Sequence, residues 1–255
     1  RRAERTAVSF ETAKFIQRNI PNFEILNEEA LQIIEWNAET VLEEIGVNFV
    51  ENPEALVRWK NAGADVQGER VRIPRGLARK LCATAPRSFT QHARNPANSV
   101  RIGGKNVVFA PAYGSPFVMD LDRGRRDGTL QDMQDFLRLC QSLNVIQQES
   151  GGPLEPMDLP AATRHLDLYM SQITLLDKSW NLNALGTERT MDGLHMAAIS
   201  MGWSLDDLAA NPMMMGVINT NSPRQLDDPM SQGLIALAEH GQVAIVTPFT
   251  LAGAM

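Results

Sequence analysis

Cysteine is scarce in this chain. Its 255 residues contain two, Cys82 and Cys140, too few for a disulfide framework and too few to build a structural zinc site by themselves. Both fall in apolar helical patterns and read as buried, reduced thiols. Long hydrophobic runs are also missing. No apolar stretch approaches the ~18 residues of a membrane span, and the opening Arg-Arg-Ala-Glu-Arg is not followed by the hydrophobic region of a secretory signal. The expected compartment is the cytoplasm. Basic residues are not in excess: 24 Lys and Arg against 30 Asp and Glu leave a net charge of −6. That balance argues against a general nucleic-acid binder and leaves only a local cluster of Arg123, Arg125 and Arg126. Walker loops, His-Glu-x-x-His, Cys-x-x-Cys and Gly-x-Ser-x-Gly are all absent. The four histidines, His92, His165, His195 and His240, stand apart from one another.

What remains is a globular composition, 44% hydrophobic and 21% charged, long enough for one large domain with an appendage. Residues 1–25 are polar with scattered apolar positions and read as an arm. Asn27 can cap a helix with Glu28 and Glu29 in its first turn. Leu31, Ile34, Ala38, Val41, Leu42 and Ile45 then recur at helical spacing up to Gly46. A second helix runs from Pro53 to Gly63, a short strand covers 70–73, and Pro74 opens a third helix. Two short strands, 88–92 and 99–102, flank a turn at Asn95-Pro96. Residues 1–105 therefore read as a helical extension with a small sheet.

From residue 106 the pattern becomes a regular alternation. Strands are expected at 107–110, 144–147, 180–185, 213–218 and 243–247, with helices between them. Strands separated by helices must run parallel. Ala112-Tyr-Gly-Ser-Pro follows the first strand in place of Gly-x-Gly-x-x-Gly, so a dinucleotide-binding fold loses its main support. The expected fold is α/β: a (β/α)8 TIM-type barrel, incomplete at about five strand–helix units over 106–255. An open piece of that kind leaves two parallel edge strands, so Arg1 and Met255 read as cut ends of a longer product.

Candidate site residues cluster at the expected carboxyl ends of the strands, the edge that hosts sites in such folds. Glu149 ends the second strand before Ser150-Gly-Gly-Pro; it reads either as a functional carboxylate or as a lip residue paired with an arginine. Asn181 and Asn183 share one face of the third strand and form either a polar layer or ligand contacts. Asn219 and Asn221, in Asn219-Thr-Asn-Ser-Pro, offer amides at the mouth or simply form a turn and cap. Tyr113, Phe117, Trp180 and Phe249 are core aromatics or faces for a quaternary ammonium by cation–π contact. Met213, Met214 and Met215 read as packing.

Several segments together resemble the trimethylamine methyltransferase (MttB-like) family. They are Glu39 to Gly46 with Val47-Asn-Phe, Val71-Arg-Ile-Pro-Arg, Ala85-Pro-Arg-Ser-Phe-Thr and Phe109-Ala-Pro-Ala-Tyr-Gly-Ser-Pro-Phe-Val-Met-Asp. Thr129-Leu-Gln-Asp, Asn219-Thr-Asn-Ser-Pro and Val246-Thr-Pro-Phe-Thr-Leu-Ala-Gly-Ala complete the set. The resemblance implies a TIM-type barrel with a helical N-terminal extension. It implies transfer of a methyl group from a methylated amine to a cobalt(I) corrinoid (cobalamin) carried by a partner protein. Members lacking pyrrolysine act on quaternary amines such as glycine betaine, which implies a type of that kind here. Members are about twice this length, and the pyrrolysine position lies in the half not present here. On this reading Glu149 is the carboxylate near the ammonium, and Tyr113, Trp180, Asn183, Asn219 and Asn221 bind substrate. No metal site, nucleic acid or membrane is expected, and a homo-oligomer is left open. Two rivals stand beside it: a non-catalytic protein that binds quaternary amines or a corrinoid partner, and another barrel enzyme using Glu149 as base.

Overall fold

The computed structural model describes residues 16–248. Strand β1 is Ile16–Gln17. Helix α1, Glu28–Thr40, begins where the Asn27 side chain accepts a hydrogen bond from the Ala30 amide at 2.9 Å. It runs on through a π-helical turn, Val41–Ile45, to Gly46. That glycine has φ 79°, and a Cβ there would lie 2.4 Å from the Val71 carbonyl oxygen, so only glycine fits. Then come β2 (Val47–Phe49), α2 (Pro53–Ala62), β3 (Asp65–Gln67), β4 (Arg70–Arg72) and α3 (Leu77–Cys82). Strands β5 (Ser88–Gln91) and β6 (Val100–Gly103) pair antiparallel around the expected turn. The first helix forms where its spacing placed it, and one expectation in this region, the burial of Cys82, fails. No residue of α1 is buried, and its apolar positions Leu31 and Ile34 lie open to solvent. Cys82 is exposed, whereas Cys140 is buried as expected.

Strand β7 (Asn106–Val107) pairs antiparallel with β1 rather than opening a parallel sheet. A hairpin of β8 (Phe117–Asp120) and β9 (Gly124–Asp127), unforeseen in the sequence, follows. It disperses the basic cluster: Arg123 pairs with Asp120, Arg126 with Asp132, and Arg125 lies 3.8 Å over the Phe117 ring. The remaining elements are α4 (Leu130–Ser142), α5 (Arg164–Leu175), α6 (Gly186–Met201), α7 (Leu205–Ala210), β10 (Met215–Thr220), β11 (Gln225–Leu226), α8 (Asp228–Glu239) and β12 (Val243–Pro248).

Of the five expected parallel strands, only the last two are continuous. β10 and β12 pair in parallel from Met215↔Val243 to Thr220↔Pro248. The second and third are reduced to single parallel bridges, Gln148↔Ser179 and Leu182↔Gly216. The first reaches the second through the backbone where the Gln147 and Gln148 amides meet the Phe109 carbonyl, at 3.1 and 3.3 Å. These contacts follow chain order without reversal. The result is a mixed α/β molecule with a parallel arc, and no closed barrel forms among the described residues. Side chains replace much of the ladder. Gln147 Oε1 accepts from the Phe109 amide at 2.8 Å. The Lys178 ammonium donates to the Ile146 carbonyl at 2.7 Å, and its other bonds, to the Cys140 and Leu143 carbonyls at 2.6 and 3.0 Å, cap the end of α4. Tyr169 Oη accepts from the Asn183 amide at 3.0 Å. A backbone group satisfied in this way has no need of a strand partner.

The core lies between this arc and helices α4, α5, α6 and α8. Met133, Leu137, Leu194, Met213, Met214, Ile218 and Leu237 are all fully buried in it, and the methionines act as packing, as expected. Gly233 lets α8 close onto the arc, because a Cβ there would sit 2.2 Å from the Ala184 carbonyl oxygen. One further strand crosses the expected boundary at residue 105. β11 pairs in parallel with β2, Gln225↔Asn48 and Leu226↔Phe49, and completes a four-stranded sheet with β4 and β3.

Two capping boxes tie stability to pH. Thr129 and Asp132 cap α4, and Ser204 and Asp207 cap α7. The Arg126 guanidinium, with Nη1 and Nη2 each 2.6 Å from a carboxylate oxygen, holds the Asp132 carboxyl well below the usual range. The Ser204 hydroxyl lowers that of Asp207. A carboxyl more acidic in the folded state stabilises it above the ordinary value near 4, and that contribution is lost as pH falls further. The melting temperature is therefore expected to fall between about pH 4 and pH 2, and less steeply in Asp132→Asn. Thermal scans against pH check this; equal slopes for the two proteins would contradict it.

Candidate active site

The inward faces of the arc line two adjoining cavities, and alternation along each strand decides which side chains face them. The lower cavity, about 490 Å³, is bounded by Val108, Gln148, Asn181, Met215 and Val243. The upper one, about 270 Å³, lies at the carboxyl ends of the strands and takes in Tyr113, Ser150, Asn183 and Asn219. Tyr113 and Ser150 border both.

Three of the six expected site residues meet in the upper cavity. Tyr113 stands at its rim, 46% exposed, with its hydroxyl pKa pushed up by partial burial. Asn183 is fixed by its backbone, whose carbonyl and amide both bond the Tyr169 hydroxyl. Asn219 Oδ1 accepts from the Thr247 hydroxyl at 2.7 Å, which leaves the amide nitrogen as its donor.

Glu149, Trp180 and Asn221 line neither cavity. Glu149 is wholly buried and takes no arginine. Its carboxylate accepts from the amides of Gly152 at 2.6 Å, Gly151 at 2.8 Å and Asn181 at 3.4 Å, and from Gln172 Nε2 at 2.7 Å. Burial pushes its pKa up against those hydrogen bonds, which favour the ionised form. Trp180 is 2% exposed and packs on Tyr169 with ring centroids 5.7 Å apart. Asn221 is exposed and bonds Asp227 through both ends of its amide, shaping the turn before α8. Asn181 belongs to a buried polar layer, its Oδ1 accepting from Gln91 at 3.1 Å and Gln148 at 3.0 Å. Phe249 lies outside the described residues. Among the histidines, His165 pairs with Asp192 at 2.9 Å between α5 and α6, away from both cavities.

Two residues of the upper cavity escaped the sequence reading: Glu155 and Arg189. Glu155 follows the parallel bridge Ser115↔Leu154, and its amide donates to the Ser115 carbonyl at 2.8 Å. Its Oε1 accepts from Arg164 Nη1 at 3.2 Å. Arg189 lies in the first turn of α6, and its Nη2 donates to the Ala161 carbonyl at 3.0 Å. Both stand a few residues beyond the strand ends, in the loops that build sites at this edge. Among the described residues no cluster of three His, Cys, Asp or Glu side chains could hold a metal ion. No described helix is long and apolar enough to cross a membrane.

The profile of the family described as "Trimethylamine methyltransferase (MTTB)" matches residues 1–255. The glycine betaine methyltransferase of Desulfitobacterium hafniense (strain Y51) is 39% identical over 234 residues, 92% of this chain and 48% of that protein. The proline betaine:corrinoid methyltransferase of Eubacterium limosum is 26% identical over 81% of this chain and 44% of its own length. The L-carnitine:corrinoid methyltransferase of the same organism is 30% identical over 54% of this chain and 27% of its own length. The chain spans less than half the length of these relatives.

Proposed function

This chain belongs to the trimethylamine methyltransferase family, and from that premise we propose that it forms part of an enzyme that takes a methyl group from a quaternary amine such as a betaine and gives it to a corrinoid carried by a partner protein. One observation carries the reading: Tyr113, Asn183 and Asn219 converge on a small cavity at the carboxyl edge of the parallel arc. Three relatives support it through their names, which specify glycine betaine, proline betaine and L-carnitine. We further read the chain-ordered parallel contacts as the first five units of a TIM-type barrel, with residues 1–105 as an extension packed on it, in a cytoplasmic protein.

The chemistry asks for positioning rather than acid–base help. A quaternary nitrogen carries a full positive charge, and when its methyl carbon is attacked the C–N pair stays on nitrogen as a neutral tertiary amine. No proton moves. The half-exposed rim at Tyr113 leaves the cavity open to a group delivered from outside, which fits a corrinoid held by another protein. When bound, the corrinoid supplies a cobalt(I) nucleophile for the methyl carbon. This chain's residues hold the other reactant: the Tyr113 ring faces the cation, and the amides of Asn183 and Asn219 donate to the polar end of the substrate. Glu149, facing neither cavity, has no geometry for a general base.

The test uses the full-length protein, a reduced corrinoid and a panel of betaines, with products read by mass spectrometry. Formation of dimethylglycine from glycine betaine, or of the corresponding tertiary amine from another member, is expected. No demethylated product from any member would overturn the proposal, and calorimetric binding without product would favour the non-catalytic rival.

A further inference from the structure

The upper cavity contains two formal charges for which methyl transfer itself has no use. Glu155 comes from the loop after the second parallel segment and Arg189 from the first turn of α6, so different parts of the chain bring opposite charges to one small space. They do not neutralise each other. The ion pair that Glu155 makes is with Arg164, whose side chain is 13% exposed. Arg189 makes no ion pair among the described residues; one of its donors goes to the Ala161 carbonyl. A guanidinium has five donors in a rigid fork that matches a carboxylate, so most of that capacity stays unused.

We propose that Glu155 and Arg189 are specificity-determining residues that read the two ends of a zwitterionic substrate, Glu155 facing the quaternary ammonium and Arg189 taking the carboxylate. This rests on the site being that of a quaternary-amine methyltransferase. The charge balance gives the reason. Of the two charged residues that line the cavity, Glu155 is already offset by Arg164, so Arg189 leaves one positive charge in excess on the cavity wall itself. A substrate that is cationic only adds to that excess. A betaine brings its own carboxylate to Arg189 and leaves the balance unchanged. Arg164 also fixes the direction of the Glu155 carboxylate, so the two reading groups are held in place before substrate arrives. The pair sets which amine is chosen, and the reacting methyl group needs neither residue.

Glycine betaine and choline separate the two ends, because both carry a trimethylammonium and only the first has a carboxylate. The full-length protein and its Arg189→Met, Arg189→Lys and Glu155→Gln variants are compared by calorimetry for binding and by product formation for turnover. Arg189→Met is expected to weaken glycine betaine binding roughly tenfold to hundredfold, the loss of a charge-assisted hydrogen-bonded pair, and to affect choline far less. Arg189→Lys should recover part of that loss, and Glu155→Gln should weaken both ligands. Equal loss for both ligands in Arg189→Met, or no loss for either, would overturn the assignment; circular dichroism and thermal melts show whether the variant is folded. The binding arm reads the assignment even if turnover is absent, so failure of the proposed reaction and failure of the charge pair give different results.

Discussion

Replacing Glu149 by alanine is expected to destabilise the protein by about 3–5 kcal/mol, the range for removing one partner from a buried charged network. The amides of Gly151 and Gly152 and the carboxamide of Gln172 all aim at its carboxylate within 2.8 Å. Without it the Gly151 and Gly152 amides lose the acceptor they aim at, and Gln172 Nε2 keeps only the Asn181 carbonyl at 3.2 Å. Burying the ionised group already costs stability, as its raised pKa shows, so the damage comes from the orphaned donors and not from a lost ideal ion pair. Glu149→Gln keeps one carbonyl oxygen and should lose markedly less. Because Ser150 and Gly151 line the upper cavity, the alanine variant should also bind substrate poorly. Urea unfolding measures the first effect. A change below about 1 kcal/mol would show that the carboxylate does not organise this turn.

Gly233→Ala comes next in size, and it runs against helix propensity, which by itself favours alanine by about 1 kcal/mol. The new methyl carbon would lie 2.2 Å from the Ala184 carbonyl oxygen and 2.8 Å from its carbon. Backbone on both sides cannot rotate away as a flexible side chain would. Helix α8 must therefore lift from the segment carrying Leu182, Asn183 and Ala184, the wall of the upper cavity. The expected cost is about 2–3 kcal/mol, read by denaturant unfolding, together with weaker ligand binding. A variant as stable as the parent would mean that α8 does not pack so closely.

Helices were the legible part of the sequence. Asn27, Gly46, Pro53 and Gly63 mark ends that the structure keeps, because caps and stops are local chemistry. The parallel segments were legible in order but not in form. Residues 144–147 and 180–185 read as strands between helices, yet Lys178, Gln147 and Tyr169 take over backbone groups that a ladder would have used. Nothing local announces that a lysine 32 residues away will take the Ile146 carbonyl. The site followed the same division. Tyr113, Asn183 and Asn219 share one cavity because each stands near the carboxyl end of a parallel segment, a position that the order of strands and helices in the sequence already marks. Glu149 stands one position away from the residues that face the cavities, since neighbours on a strand face opposite ways: Gln148 and Ser150 look into them, and Glu149 looks back toward α5. Glu155 and Arg189 have no periodic signature, because loops and first helical turns are placed by the tertiary fold.

The pairing of β11 with β2 bears on how the molecule is made. Asn48 and Phe49 leave the ribosome early, but their parallel partners Gln225 and Leu226 are translated far later, and Asn52 bonds Asp228 across 176 residues of chain. Until then β2 has β4 on one side and an open edge on the other, the kind of edge to which other chains can attach. Contacts of such long sequence separation form slowly. Nascent chains stalled before residue 225 should therefore be the ones most dependent on chaperones, and the arrival of two residues, Gln225 and Leu226, is the event that shuts the first sheet.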